Sequence, residues 1–113
     1  MRQVDIGGLR ASDWSLGTMT FGNQTPQDDA HRQMDMALAA GVTLWDCAEM
    51  YPVNPVRRET VGRSEAIIGS WLASRGGRDR VVLATKVAGP GSPVRAEGYG
   101  TPVLERACEA SLR

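Results

Sequence analysis

The chain has 113 residues, 42% of them hydrophobic and 23% charged, a balance that suits one modest domain with a packed core and argues against intrinsic disorder. Thirteen lysines and arginines offset thirteen acids, and with no basic patch, nucleic acid and anionic membranes are poor candidate partners. The opening MRQVDIGGLR lacks the apolar run of a secretory leader, and no later stretch is long enough to span a bilayer. A cytoplasmic location is the expectation, with Cys47 and Cys108 reduced. The chain has one histidine and no metal-type cysteine spacing, so no metal site is expected.

In chain order, QVDIGGLRAS (3–12) predicts a short hairpin turning at Gly7-Gly8, because adjacent glycines supply the positive φ of tight hairpin turns. SLGTMTFG (15–22) reads as a strand ending at Gly22. Thr25-Pro26-Gln27-Asp28 predicts a helix start, with a hydroxyl cap, proline at the first helical position and an acid three residues on. Ala30, Met34, Ala37 and Leu38 share one helical face, and Gly41 stands where a terminal glycine ends such a helix, giving a helix over 26–40. Val42 to Trp45 follows as a strand. The loop over 51–61, with Pro52 and Pro55, is long for a strand–helix link, which marks it as a candidate functional loop.

A second helix runs from Gly62 or Ser64 to Arg75, turning Ile67, Ile68, Trp71 and Leu72 inward, and Gly76-Gly77 ends it. VVLATK (81–86) is β-branched and apolar enough for a strand buried on both faces. Residues 89–100 form a Gly/Pro-rich loop. Thr101-Pro102 opens a third helix whose Leu104, Ala107, Cys108 and Leu112 share a face, with no stop signal near Leu112. Trp14, Trp45 and Trp71 read as packing residues. Met19, Met34, Met36 and Met50 follow no helical stripe and read as core or rim fillers. A hairpin followed by three βα units implies an α/β fold with a parallel sheet and right-handed crossovers. Three units are too few to close a barrel of eight strands, for which about 250 residues is typical.

The strands end at Asp46 and Lys86, and α/β folds place their sites at the C-terminal ends of such strands. Tyr51 follows Asp46 by five residues on the same rim. From the residues alone two readings stand. Asp46 is a turn residue and Lys86 a solvated one, or the three form a site. In the second reading a buried carboxylate holds the lysine charged, and that charge favours phenolate over phenol, as a tyrosine general acid needs. Cys47 lies beside a carboxylate, which argues for an inert thiol, and Arg57-Arg58 read as solvated.

SLGTMTFG, AAGVTLWD, DCAEMY, GRSEAIIGSWL and RDRVVLATK, in this order, resemble the N-terminal part of the aldo/keto reductases. The resemblance implies an incomplete (β/α)8 TIM barrel, with an N-terminal hairpin closing its bottom and residues 1–113 forming the first part of the barrel domain. It implies NADPH-dependent reduction of aldehydes and ketones, with a small carbonyl compound as substrate. Tyr51 is then the proton donor, Lys86 the residue that activates it and Asp46 its carboxylate partner. Gly17, Thr18, Met19 and Asp46 are then expected beside the nicotinamide riboside of NADP(H). The family's catalytic histidine belongs at the end of a fourth strand and has no counterpart in residues 1–113. His31 falls in the first helix and reads as a surface or packing residue. Most phosphate- and adenine-binding residues of the family lie in its C-terminal half. The alternatives are a catalytically inactive fragment, or a cofactor-binding regulatory module acting through a partner protein. A sheet of three strands would also leave open edges through which the chain could associate with itself.

Overall fold

The computed structural model describes residues 1–89, 92, 95 and 98–113. Strands β1 (Gln3–Ile6) and β2 (Leu9–Ser12) form an antiparallel hairpin. Its turn is made by Gly7 and Gly8, with φ of 59° and 87°, as the paired glycines predict. Strands β3 (Ser15–Gly17), β4 (Leu44–Asp46) and β5 (Val82–Ala84) form a parallel sheet in the order β3-β4-β5. Between them run the helices α1 (Gln27–Ala39) and α2 (Arg63–Arg75), and α3 (Thr101–Ser111) follows β5. The hairpin sits at the N-terminal ends of the parallel strands. Ser12 N–H donates to Thr43 Oγ1, and Ser12 Oγ accepts from the backbone N–H groups of Thr43 and Leu44. One buried hydroxyl thereby takes up donors that the start of β4 would otherwise leave unpaired.

The core lies between the sheet and the first two helices. Phe21, Ala30, Met34, Trp45, Ile67, Ile68 and Trp71 are buried in it. Trp45 and Trp71 meet edge to face at 4.9 Å between ring centroids, an arrangement worth about 0.5–1.5 kcal/mol beyond the area it buries. Both indole N–H groups are satisfied, Trp45 by the carbonyl of Val42 and Trp71 by the Asp35 carboxylate. Asp35 also takes Arg75 Nε and Nη2, which holds its carboxyl below the ordinary value, the Arg75 and Trp71 hydrogen bonds being the leading causes. His31 joins the same seam through Ser70 Oγ at 2.9 Å. It is a packing residue, as expected.

Several elements differ from the sequence reading. The strand expected over 15–22 stops at Gly17, because Thr18 turns back onto β4 and Phe21 N–H closes a turn onto the Thr18 carbonyl. Thr25 does not cap α1. Its hydroxyl pairs with that of Thr20, and Pro26 takes the capping position with extended backbone. The strand predicted as buried on both faces is shorter, and Ala84, Thr85 and Lys86 are exposed. It pairs only with β4 among the described residues, so it is an edge rather than an interior strand. Helix α3 buries Val103 and Ala107, whereas Leu104, Cys108 and Leu112 face outward. Ala107 is buried as expected, but Val103 rather than Leu104 stands with it on the inward side. Trp14 is 70% exposed and packs into nothing comparable to the other two tryptophans. The loop over 89–100 lies in part outside the described residues.

Candidate active site

The register of the parallel sheet sets the site. Gly17, Asp46 and Ala84 are aligned across β3, β4 and β5, so the segments that follow each strand leave the sheet at one edge, its C-terminal rim. Successive side chains of a strand alternate in direction. Two residues past Ala84, Lys86 reaches back to the end of β4. Its Nζ lies 2.8 and 2.9 Å from the two Asp46 carboxylate oxygens and 2.6 Å from the Cys47 carbonyl. These acceptors match the three donors of an ammonium.

Tyr51 stands over this group. Lys86 Nζ is 5.0 Å from the centroid of its ring, within the reach of a cation–π contact. The backbone around the tyrosine is pinned on both sides. Tyr51 N–H donates to Ala48, and its carbonyl accepts from Gly62 and Ser64 at the start of α2. Its ring is half-buried against the core cluster, and the Tyr51–Pro52 peptide is cis. One long loop thus has its base fastened to a helix N-terminus and its tyrosine above the strand ends.

Electrostatically, burial pulls Lys86 down. The hydrogen bond and charge of Asp46, with a further contribution from Tyr51, outweigh it and raise the lysine above its ordinary value. The amine therefore carries its charge throughout the neutral range. The side chains of Lys86 and Asp46 are 49% and 44% exposed. That corrects the expectation of a buried carboxylate: the pair lies at an open rim. Cys47 is buried, and burial first of all pushes its thiol up, so it is an inert thiol for a stronger reason than the neighbouring carboxylate.

The remaining residues named from the sequence fall at the same rim with unequal prospects. Apart from its two chain neighbours, no residue comes within 4 Å of where a Cβ on Gly17 would stand, so the end of β3 is open to a ligand. Met19 is 41% exposed, and its carbonyl accepts from Val53 N–H, tying the β3 end to the tyrosine loop. Thr18 is buried, and both its N–H and its hydroxyl donate to the Asp46 carbonyl, at 3.1 and 2.9 Å. It fastens β3 to β4 and has no donor left for a ligand. Arg57 and Arg58 are exposed, as read. A cleft of about 780 Å³ between α2, β5 and α3 is lined by Ile68, Leu72, Leu83 and Leu112 and includes none of Asp46, Tyr51 and Lys86.

The sequence reading missed Glu49 and Arg95. Glu49 lies between Asp46 and Tyr51, and its carboxylate binds Ala88 N–H at 2.7 Å and Arg95 Nη2 at 2.5 Å. Both side chains are largely buried, 18% and 8% exposed. A lone loop glutamate reads as solvated, and its partner stands 46 residues away in a Gly/Pro-rich stretch. The one available signal was the position of Glu49 inside the candidate site itself.

Over 88 residues the chain is 52% identical to Protein tas of Escherichia coli K12, covering 78% of this chain and 25% of that protein. It is 40% identical over 112 residues to the oxidoreductase YrpG of Bacillus subtilis, covering 94% of the chain and 33% of the relative. The holo form of the aldo-keto reductase AKR11C1 of Bacillus halodurans superposes with a TM-score of 0.72 at 28% identity, over 100% of this chain and 36% of that one. The chain thus spans between a quarter and about two fifths of its relatives' lengths, and its hairpin and three parallel strands correspond to part of a TIM barrel. The Aldo/keto reductase family model matches residues 14–113, so the chain belongs to the aldo/keto reductase family.

Proposed function

We propose that the chain carries the proton-donating part of an NADPH-dependent reductase of aldehydes and ketones. The observation that carries this reading is the Lys86 ammonium, seated on both oxygens of Asp46 and 5.0 Å from the ring centroid of Tyr51. Family membership supports the coarser statement, oxidoreduction of carbonyl compounds with a nicotinamide cofactor. The Tyr51 hydroxyl gives its proton to the carbonyl oxygen of the substrate as the alcohol forms. The charge of Lys86 stabilises the phenolate left behind, and Asp46 keeps that charge in place. When bound, a reduced nicotinamide supplies the hydride.

The residues present fit such a cofactor. Asp46 presents a half-exposed carboxylate with acceptor capacity beyond its lysine, suited to a sugar hydroxyl. Gly17 leaves room for close approach, and exposed Met19 offers an apolar wall. Thr18 acts through its grip on the Asp46 backbone rather than by contact.

The test is steady-state oxidation of NADPH by a panel of aldehydes and ketones, with NADH in parallel to decide the cofactor. Tyr51→Phe is expected to lower kcat by about 100-fold or more, with nucleotide affinity, read by fluorescence titration, nearly unchanged. Full activity of Tyr51→Phe would overturn the assignment.

A further inference from the structure

Glu49 belongs to none of the roles described so far, yet it lies between the loop that carries Tyr51 and the segment that carries Lys86. Past the ends of β4 and β5 the N–H groups on the β4 side keep ladder partners, while the Cys47 carbonyl is taken by Lys86 Nζ instead of a backbone N–H. Cys47 N–H donates to the Ala84 carbonyl at 2.8 Å and Glu49 N–H to the Lys86 carbonyl at 2.9 Å. Parallel pairing advances by two residues, so the next rung would run from Ala88 N–H to the Glu49 carbonyl. It runs instead to Oε2 of the Glu49 carboxylate, at 2.7 Å. A side chain has replaced the backbone in the last rung. The main chain after Glu49 is thereby free to leave the sheet direction and carry Tyr51 over the rim, while the partner segment stays held at the Lys86 carbonyl and the Ala88 N–H. The second carboxylate oxygen, Oε1, is held by the buried Arg95 guanidinium.

We infer that Glu49 is a positioning residue for the proton transfer. Through its N–H and its carboxylate it grips the Lys86 segment on both sides, at the Lys86 carbonyl and the Ala88 N–H, and so sets where the ammonium meets Asp46 and Tyr51. Arg95 fixes the carboxylate rotamer. The inference rests on the reductase reading of this rim. Among the described residues Glu49 makes no hydrogen bond to Tyr51 or to the Lys86 ammonium, so its effect passes through backbone placement. A displacement of about 1 Å at a reacting group can cost up to about 100-fold in rate.

The experiment uses the purified protein with Glu49→Ala, Glu49→Gln and Tyr51→Phe. Glu49→Ala is expected to lower kcat by roughly 10- to 100-fold, with KM for the carbonyl substrate within about threefold. Amide hydrogen exchange at Ala88 should accelerate in the same variant. Glu49→Gln keeps an acceptor for Ala88 N–H and should recover part of both signals. It also serves as the readout if Glu49→Ala fails to fold. Unchanged kcat in Glu49→Ala or, failing that, in Glu49→Gln, in a protein that Tyr51→Phe silences, overturns the positioning role alone. So does unchanged exchange at Ala88. Full activity of Tyr51→Phe overturns the reductase reading and the inference with it, while the exchange measurement still reports separately on the rung.

Discussion

At the scale of single residues, the charge on Lys86 is the quantity on which the rim depends. Its raised value has a definite thermodynamic sign. A group that binds its proton more tightly in the folded state adds stability below its ordinary value, about 10.4 for lysine, and loses that contribution as pH climbs through the raised folded value. Because the pair is half-exposed, its worth is modest, no more than about 1 kcal/mol. Lys86→Met should therefore lower Tm slightly and by a constant amount from pH 7 to about pH 9, with the difference shrinking above that. Thermal melts of both proteins across this range check it; a difference that widens in alkali would contradict the pairing. Asp46, Tyr51 and Lys86 were legible because each stands at or just past a strand end, where side chains of distant sequence converge. Glu49 was not, because what distinguishes it from a solvated glutamate is a backbone N–H and a guanidinium brought to it by folding.

At the scale of elements, the Trp71 side chain ties α2 to both α1 and β4. Trp71 is buried at 1% exposure, stacks its edge on Trp45 and donates to Asp35. Trp71→Ala removes the ring and leaves a cavity that the surrounding helices cannot fill, at an expected cost of about 3–5 kcal/mol. Urea unfolding followed by circular dichroism measures it, and a loss below about 1 kcal/mol would show that the site collapses freely. Glycine matters locally at the turn before α1. Gly22 has φ of 101°, and a Cβ there would stand 2.6 Å from Arg63 Cβ, so both conformation and space exclude a larger residue. The helices were readable from periodicity to within about a residue. The face of α3 was legible only in part: Ala107 belongs to the expected stripe with Leu104, Cys108 and Leu112, but it also lines up with Val103, and the pattern does not say which of the two adjacent stripes meets the rest of the molecule.

At the scale of the whole molecule, the parallel sheet places three strand ends at one rim and the hairpin at the other. Among the described residues β3 and β5 each pair only with β4. On the β5 side, Leu83 shares a cleft with the outward Leu104 and Leu112. Edges of this kind invite pairing with another chain. The 113-residue polypeptide is expected to self-associate at micromolar concentration through these edges. Sedimentation velocity over a dilution series checks it. A stable monomer across that range would contradict the expectation.

By itself the sequence determined the order of elements, the α/β class, the helix stops at Gly41 and Gly76, the strand-end position of Asp46 and the rim position of Lys86, two residues past the end of β5. All of these follow from periodicity and local backbone preference. Tertiary structure decided the short length of each strand, the edge position of β5, the inward face of α3 and the use of the Glu49 carboxylate as a ladder rung. These depend on which groups from remote segments compete for the same hydrogen-bond partners and the same buried surface, a competition resolved only when the segments are brought together.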